Sequence, residues 1–293
     1  MTPGAIAQLA CILEVTARKP GNVHRFADFH DLCYLDFLLS ARAIAKPLDR
    51  ARQVGIGRTV LDCVRATKQF VKTNTNLGMI LLLAPFSAVP EDGDLREGVI
   101  RVIQATTVDD ARYVYEAIRL AMPGGIGQVD DQDISTAPTM TLLETMRLAA
   151  DRDSVARQYA NGFSEVFDVT LPLLRTSIES GQDCETAIIS AYLATLAKIP
   201  DSLIARKIGQ EEARSVSLRA RAILDAGWPD EPAKAHCREF DTWLRTGGHS
   251  RNPGSTADLV AAALFAALRD GTIRFPLTQD FARVSPTENE VVE

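Results

Sequence analysis

Ala7-Gln8-Leu9-Ala10-Cys11-Ile12-Leu13-Glu14-Val15 sets the reading of this chain. Ala7, Ala10 and Cys11 take the i, i+3, i+4 step of one helical face, Leu13 and Val15 extend it, and Glu14 is the only charge in the stretch. Similar patterns return over roughly 31–46, 51–72, 76–84, 94–121, 139–151, 154–180, 183–198, 203–226, 231–246 and 256–270, and strand signals are scarce. Pro20-Gly21, Pro123-Gly124-Gly125, Pro200-Asp201, Trp228-Pro229 and Pro253-Gly254 fall where the periodicity stops, so each reads as a loop. Ser255-Thr256-Ala257-Asp258 has the spacing of a capping box and predicts a helix start. The expected fold is all-α: one globular multi-helix domain over 1–285 with polar active-site loops between helices, and a loosely ordered tail over 286–293.

The 293 residues are 46% hydrophobic, enough for a substantial core, and 32 Lys+Arg against 38 Asp+Glu give a net charge of −6. That balance argues against nucleic acid or an anionic membrane as partner. No signal-peptide pattern and no run of membrane-spanning length is present, so a cytoplasmic location is expected. The cysteines, Cys11, Cys33, Cys63, Cys184 and Cys237, are odd in number and irregular in spacing, and read as reduced. The sequence contains no GxxxxGK[ST], no GxSxG and no HExxH, and Gly55-Ile56-Gly57 lacks the third glycine of a dinucleotide loop. Bound phosphate would therefore depend on helix N-termini and scattered basic residues.

Five polar clusters could carry chemistry, and each also has a bland explanation. Glu14 through Arg25 gathers Arg18, Lys19, His24 and Arg25 around Pro20-Gly21, an anion site in outline or cations complementing a helix C-terminus. Asp28-Phe29-His30-Asp31 adds carboxylates for a metal or an imidazole, whereas zinc lacks a cysteine pair to complete a set. Lys72 through Gly78 offers Asn74, Thr75 and Asn76, more hydrogen-bonding groups than one helix cap needs. Asp109-Asp110 with Asp130-Asp131-Gln132-Asp133 could recruit Mg²⁺ or could simply be solvated. Pro200 through Gly209 and His249 through Leu259 place Asp201, Arg206, Lys207, Asn252 and Asp258 about helix starts.

Taken in order, these loops resemble the triphosphoribosyl-dephospho-CoA synthase family over about residues 10–270. The resemblance rests on Glu14, Lys19-Pro20-Gly21, His30-Asp31, Asn74-Thr75-Asn76-Leu77-Gly78, Asp201-Ser202 with Arg206, and Pro253 through Leu259. It departs where Asn76-Leu77 replaces a His-Lys pair and where Cys33 replaces a second acid. It implies attack of the 2′-hydroxyl of dephospho-CoA on C1′ of the ATP ribose with loss of adenine, through an oxocarbenium-like transition state. The implied catalytic carboxylates are Glu14, Asp31, Asp201 and Asp258, with Asp31, Asp201 and Asp258 as Mg²⁺ ligands. The implied binding residues are Lys19, Pro20, Gly21, Asn22, His24, Arg25, Asn74, Thr75, Asn76, Gly78, Ser202, Arg206, Lys207, Asn252, Gly254 and Ser255. The expected small-molecule partners are ATP, as substrate, and dephospho-CoA or a related phosphorylated compound, and a homodimer is the expected assembly. Two other readings compete: a related transferase for another phosphorylated alcohol or amine, as in tetrahydromethanopterin-linked one-carbon metabolism, and a non-catalytic helical nucleotide-binding protein.

Overall fold

The repeat around Ala7 folds as α1 (Pro3–Thr16), started by Pro3 in its first turn and by Thr2, whose Oγ1 accepts the Ala5 N–H at 3.3 Å. The computed structural model describes residues 1–121, 137–275 and 277. Along them follow α2 (Tyr34–Leu48), α3 (Ala51–Val54), α4 (Ile56–Lys68), α5 (Leu77–Ala88), α6 (Leu95–Gln104) and α7 (Val108–Ala121). Then come α8 (Leu142–Ala149), α9 (Ser154–Asn161), α10 (Leu171–Glu179) and α11 (Cys184–Lys198). The last are α12 (Ser202–Ile208), α13 (Gln210–Asp225), α14 (Ala233–Arg245) and α15 (Gly254–Arg269). Among the described residues there is no strand, only two isolated bridges, His24 with Ala27 and Phe29 with Leu32, so the all-α expectation holds. None of these helices is by itself long and apolar enough to cross a membrane. Pro123-Gly124-Gly125, the Asp130–Asp133 run and the tail proposed over 286–293 lie outside the described residues.

Four stretches that read as single helices are each broken in two. Those at 51–72, 154–180 and 203–226 break at Gly55, Gly162 and Gly209, with φ of 85°, 68° and 103°, a region that lets a glycine end one helix and start another at a new angle. The 94–121 stretch breaks at Thr107, whose Oγ1 accepts the Asp110 N–H at 3.1 Å while Asp110 Oδ2 accepts the Thr107 N–H at 2.8 Å. The expected capping box at Ser255 does not form. Ser255 Oγ instead accepts the N–H of Ser202 at 2.9 Å, which leaves Asp258 free to face the cavity described below.

α5 and α15 are apolar around nearly their whole circumference and are buried, with α1 packed against both. Phe86 on α5 meets Phe265 on α15 at 5.7 Å between ring centroids and Phe163 at 5.0 Å, closing the core below the site. Pro85 has no N–H to give the Leu81 carbonyl one turn back, and the Tyr159 hydroxyl fills that place, donating to Leu81 O at 2.7 Å. A proline-bearing helix thus keeps its backbone satisfied inside the core, and its first residues, Leu77, Gly78 and Met79, line the cavity.

Candidate active site

A cavity of about 530 Å³, the size of a small-molecule site, opens between the starts of α5, α9 and α15, the end of α1 and the sides of α7 and α8. One wall is acidic. Glu14 comes from the last turn of α1 and Asp258 from the first turns of α15. Glu14 is buried, and its Oε1 lies 2.9 Å from Nζ of Lys19, which is itself fully buried and also donates to the backbone carbonyls of Glu14 and Ala17. The Lys-Pro-Gly turn folds the chain back so that one ammonium caps the end of α1 and neutralises the carboxylate beside it. Burial still raises the Glu14 carboxyl above its ordinary range, with Lys19 opposing the shift.

Asp258 has no such cation among the described residues. Burial pushes its carboxyl well above the usual carboxylate range, and repulsion from Glu14, Asp201 and Asp153 adds to the effect. It sits at the start of α5, where the Met79 N–H partly offsets the shift. A Cβ on Gly78 would overlap Asp258 Oδ2, so only glycine lets α15 bring this carboxyl so close to α5. The two acids differ in environment, one charge-paired and one holding its proton more tightly, the arrangement that separates acid from base roles.

The amide-rich turn before α5 lies on the same cavity. Asn74, Thr75 and Asn76 line it, with Asn74 Oδ1 accepting the Leu77 N–H at 3.1 Å and the Thr75 hydroxyl 2.6 Å from that of Ser40. Asn22 and Asn252 meet across it, Asn22 Nδ2 donating to Asn252 Oδ1 at 2.6 Å. Ser202, Arg206, Gly254 and Ser255 complete the set of expected residues that line the cavity.

The remaining expected residues are placed elsewhere. Asp201 is buried outside the cavity lining and fully engaged: Oδ1 accepts the N–H of Leu203 and Ile204 at 2.9 and 3.1 Å, and Oδ2 accepts the N–H and hydroxyl of Thr256 at 2.7 and 2.8 Å. It caps α12 and ties it to α15, although burial raises its carboxyl. Asp31 is exposed and lies beside His249, Oδ2 to Nε2 at 3.4 Å, and Lys207 donates to the His249 carbonyl at 2.9 Å. Burial lowers the Lys207 ammonium. Arg25 is drawn to the buried Glu185 at 2.8 Å, the acid that also holds Arg18 at 3.0 Å. Pro20 accepts the Tyr192 hydroxyl at 2.7 Å, and Gly21, at φ 77°, donates its N–H to Asp241 at 2.7 Å. His24 is buried and held neutral, lowered to about 3 by burial and then by Arg245 and Lys19.

Asp31, Asp201 and Asp258 therefore do not form one Mg²⁺ ligand set. Four donors already occupy the Asp201 oxygens, Asp31 faces His249, and among the described residues no three His, Cys, Asp or Glu side chains gather at metal-binding spacing. Asp110 is likewise structural, accepting the Gly57 N–H at 2.8 Å. The five cysteines are free thiols, as expected, and buried Cys11 senses both Glu14 and Asp258.

Arg152, Asp153 and Gln210 also line the cavity and were not singled out in the sequence. Asp153-Ser154 carries an N-cap signal, realised as Asp153 Oδ1 accepting the N–H of Val155 and Ala156 at 2.9 and 3.0 Å, but nothing local shows that Asp153 Oδ2 reaches Arg206 at 3.0 Å.

Residues 1–275 match the model of the family described as CitG, ATP:dephospho-CoA triphosphoribosyl transferase. The chain belongs to this family. Among individual proteins, a Pseudomonas fluorescens (strain Pf-5) protein named as a probable 2-(5″-triphosphoribosyl)-3′-dephosphocoenzyme-A synthase is 34% identical over 111 residues, 37% of this chain and 38% of its own. A protein of the same name from Pseudomonas savastanoi pv. phaseolicola is 26% identical over 165 residues, 56% of this chain and 55% of its own. These matches thus span between a third and somewhat over half of the relatives' length. A crystal structure from Archaeoglobus fulgidus, whose name assigns it to triphosphoribosyl-dephospho-CoA synthase, superposes with a TM-score of 0.63 at 25% identity, over 80% of this chain and all of that one. Loops far apart in the sequence supply Glu14, Asn74 and Asp258 to a single cavity.

Proposed function

We propose that this chain transfers the triphosphoribosyl group of ATP to the 2′-hydroxyl of 3′-dephospho-CoA and releases adenine. The observation that carries the reading is the pair of carboxyls on one cavity wall, Glu14 neutralised by Lys19 and Asp258 with no cation beside it among the described residues. In the reaction the bond from C1′ to the purine nitrogen breaks and a bond from C1′ to the acceptor oxygen forms, with positive charge on the sugar between. Glu14, paired with the Lys19 ammonium, faces that charge and takes the hydroxyl proton. Asp258, whose raised affinity for a proton makes it the acid, gives one to the leaving purine. The apolar side of the cavity, including Val114, Ile118, Leu142 and Met146, offers the surface a nucleobase or pantetheine arm would cover. Any Mg²⁺ would enter on the triphosphate as part of the substrate, and the cytoplasm is the compartment that supplies both substrates.

Full-length protein given ATP and dephospho-CoA is expected to release free adenine, with Glu14→Gln slower by about 10²–10⁴-fold. Wild-type protein that releases no more adenine than Glu14→Gln rejects the reading. The second reading, a transferase for another phosphorylated alcohol or amine, is favoured by Leu77, an apolar side chain on the cavity where a cation would grip a phosphate. A thermal-shift screen of phosphorylated metabolites separates the two, because dephospho-CoA giving the largest shift excludes the second.

A further inference from the structure

Among the described residues that line the cavity, two are cations, Arg152 and Arg206. The other basic groups near its loops are spent elsewhere: Lys19 on Glu14, Arg18 and Arg25 on Glu185, and Lys207 on the His249 carbonyl. The turn before α5 lines the cavity with amides, a hydroxyl and Leu77 but no charge. Arg152 and Arg206 flank one carboxylate, Asp153, which holds the Arg206 guanidinium at 3.0 Å while its other oxygen caps α9. Arg152 is exposed, and its guanidinium makes a long contact to the Leu148 carbonyl at 3.4 Å. The rim where α8, α9 and α12 meet therefore holds two guanidiniums and one carboxylate, whereas Glu14 and Asp258 lie on the α1 and α15 wall.

We propose that Arg152 and Arg206 form a polyphosphate subsite, with Asp153 holding Arg206 in place and Gln210 beside it as an amide donor. The triphosphate of ATP then lies along the α8–α9–α12 rim, and its ribose extends toward Glu14 and Asp258. A multiply charged anion needs paired, directional donors to leave water, and a guanidinium supplies two parallel N–H groups to phosphate oxygens. The separation of cationic rim and acidic wall also fixes direction, because the triphosphate is drawn to the guanidiniums while the sugar carbon, which becomes positive, is left beside Glu14. Identifying the anion as the tail of ATP rests on the transferase reading, whereas the preference for polyphosphate rests on the two arginines alone.

Inorganic tripolyphosphate titrated calorimetrically into the full-length protein tests the subsite without any reaction. Wild type is expected to bind it, and Arg152→Ala and Arg206→Lys are each expected to weaken binding by about tenfold or more. Arg101→Ala, which removes an exposed guanidinium paired to Glu97 on α6, is expected to bind as wild type does. Among the described residues Arg152 holds no ion pair, so its variant remains informative should Arg206 variants unfold. No tripolyphosphate binding by wild type, or equal binding by wild type and Arg152→Ala, overturns the proposal. Binding that needs the arginines in a protein that releases no adenine upholds the subsite and rejects the transferase reading. Adenine release that is unchanged in both arginine variants rejects the subsite and leaves that reading standing.

Discussion

Glu14 and Lys19 show how much one residue's role depends on where its neighbour's charge ends up. The run of basic side chains around Pro20-Gly21 reads equally as an anion site or as helix-end cations, and the sequence cannot separate these because both use the same residues. In the fold Lys19 is buried against Glu14 and Arg25 is drawn to Glu185, a residue 160 positions away that no local pattern points to. Lys19→Met strands a buried carboxylate and is expected to destabilise the protein by about 3–5 kcal/mol in urea denaturation, with much of the loss recovered when Glu14→Gln is added. Recovery by less than a few tenths of that loss would mean the two side chains do not act as a pair. Gly78 makes a complementary case, because its role is to have no side chain. Gly78→Ala forces a methyl into the Asp258 carboxyl and is expected to lower kcat by about 10²-fold through misplacement and to cost about 1–3 kcal/mol in urea denaturation. An unaltered kcat would show that the position of Asp258 is not critical.

At the scale of the helix, periodicity located nearly every element and missed most of the breaks. The apolar faces on either side of Gly55, Gly162 and Gly209 remain continuous in sequence, so the breaks are visible only in single glycines that also occur harmlessly inside helices. Thr107 was legible in principle, since Thr107 through Asp110 has capping-box spacing, whereas Ser255 through Asp258 has the same spacing and does not form one. The difference is tertiary: Ser255 is claimed by the start of α12. The proline within α5 depends on a partner in the same way. Tyr159→Phe leaves the Leu81 carbonyl buried without a donor and is expected to cost about 1–3 kcal/mol. Adding Pro85→Ala, which restores an N–H to that carbonyl, is expected to relieve the penalty, and a double mutant as unstable as the sum of the singles would disprove the coupling.

Across the whole molecule, the convergence of loops far apart in sequence gives both the cavity and a distinctive response to pH. The order of the loops was readable, but their meeting was not, because it is set by how α1, α5 and α15 pack and by no local signal. That packing buries groups whose charged forms the fold resists, and the two kinds act in opposite directions. His24 titrates near 6.5 when unfolded and near 3 when folded, so the fold favours its neutral form. Its contribution is full above the unfolded value and is lost as pH falls from 6.5 toward 3, a loss of about 4–5 kcal/mol on that limb. Asp258 is shifted the other way. Its folded carboxyl lies well above 3.8, so its contribution is full below that value and is lost as pH rises through the raised folded one. Asp258→Asn stays neutral throughout and should melt at a higher temperature than wild type near about pH 8, with the difference closing near about pH 4, although turnover is lost. His24→Gln should flatten only the acid limb. Melting curves collected across that range decide the matter: an Asp258→Asn protein no more stable than wild type on the alkaline side would mean that Asp258 is ionised without penalty, and the acid assigned to the leaving purine would have to be sought elsewhere on the cavity wall.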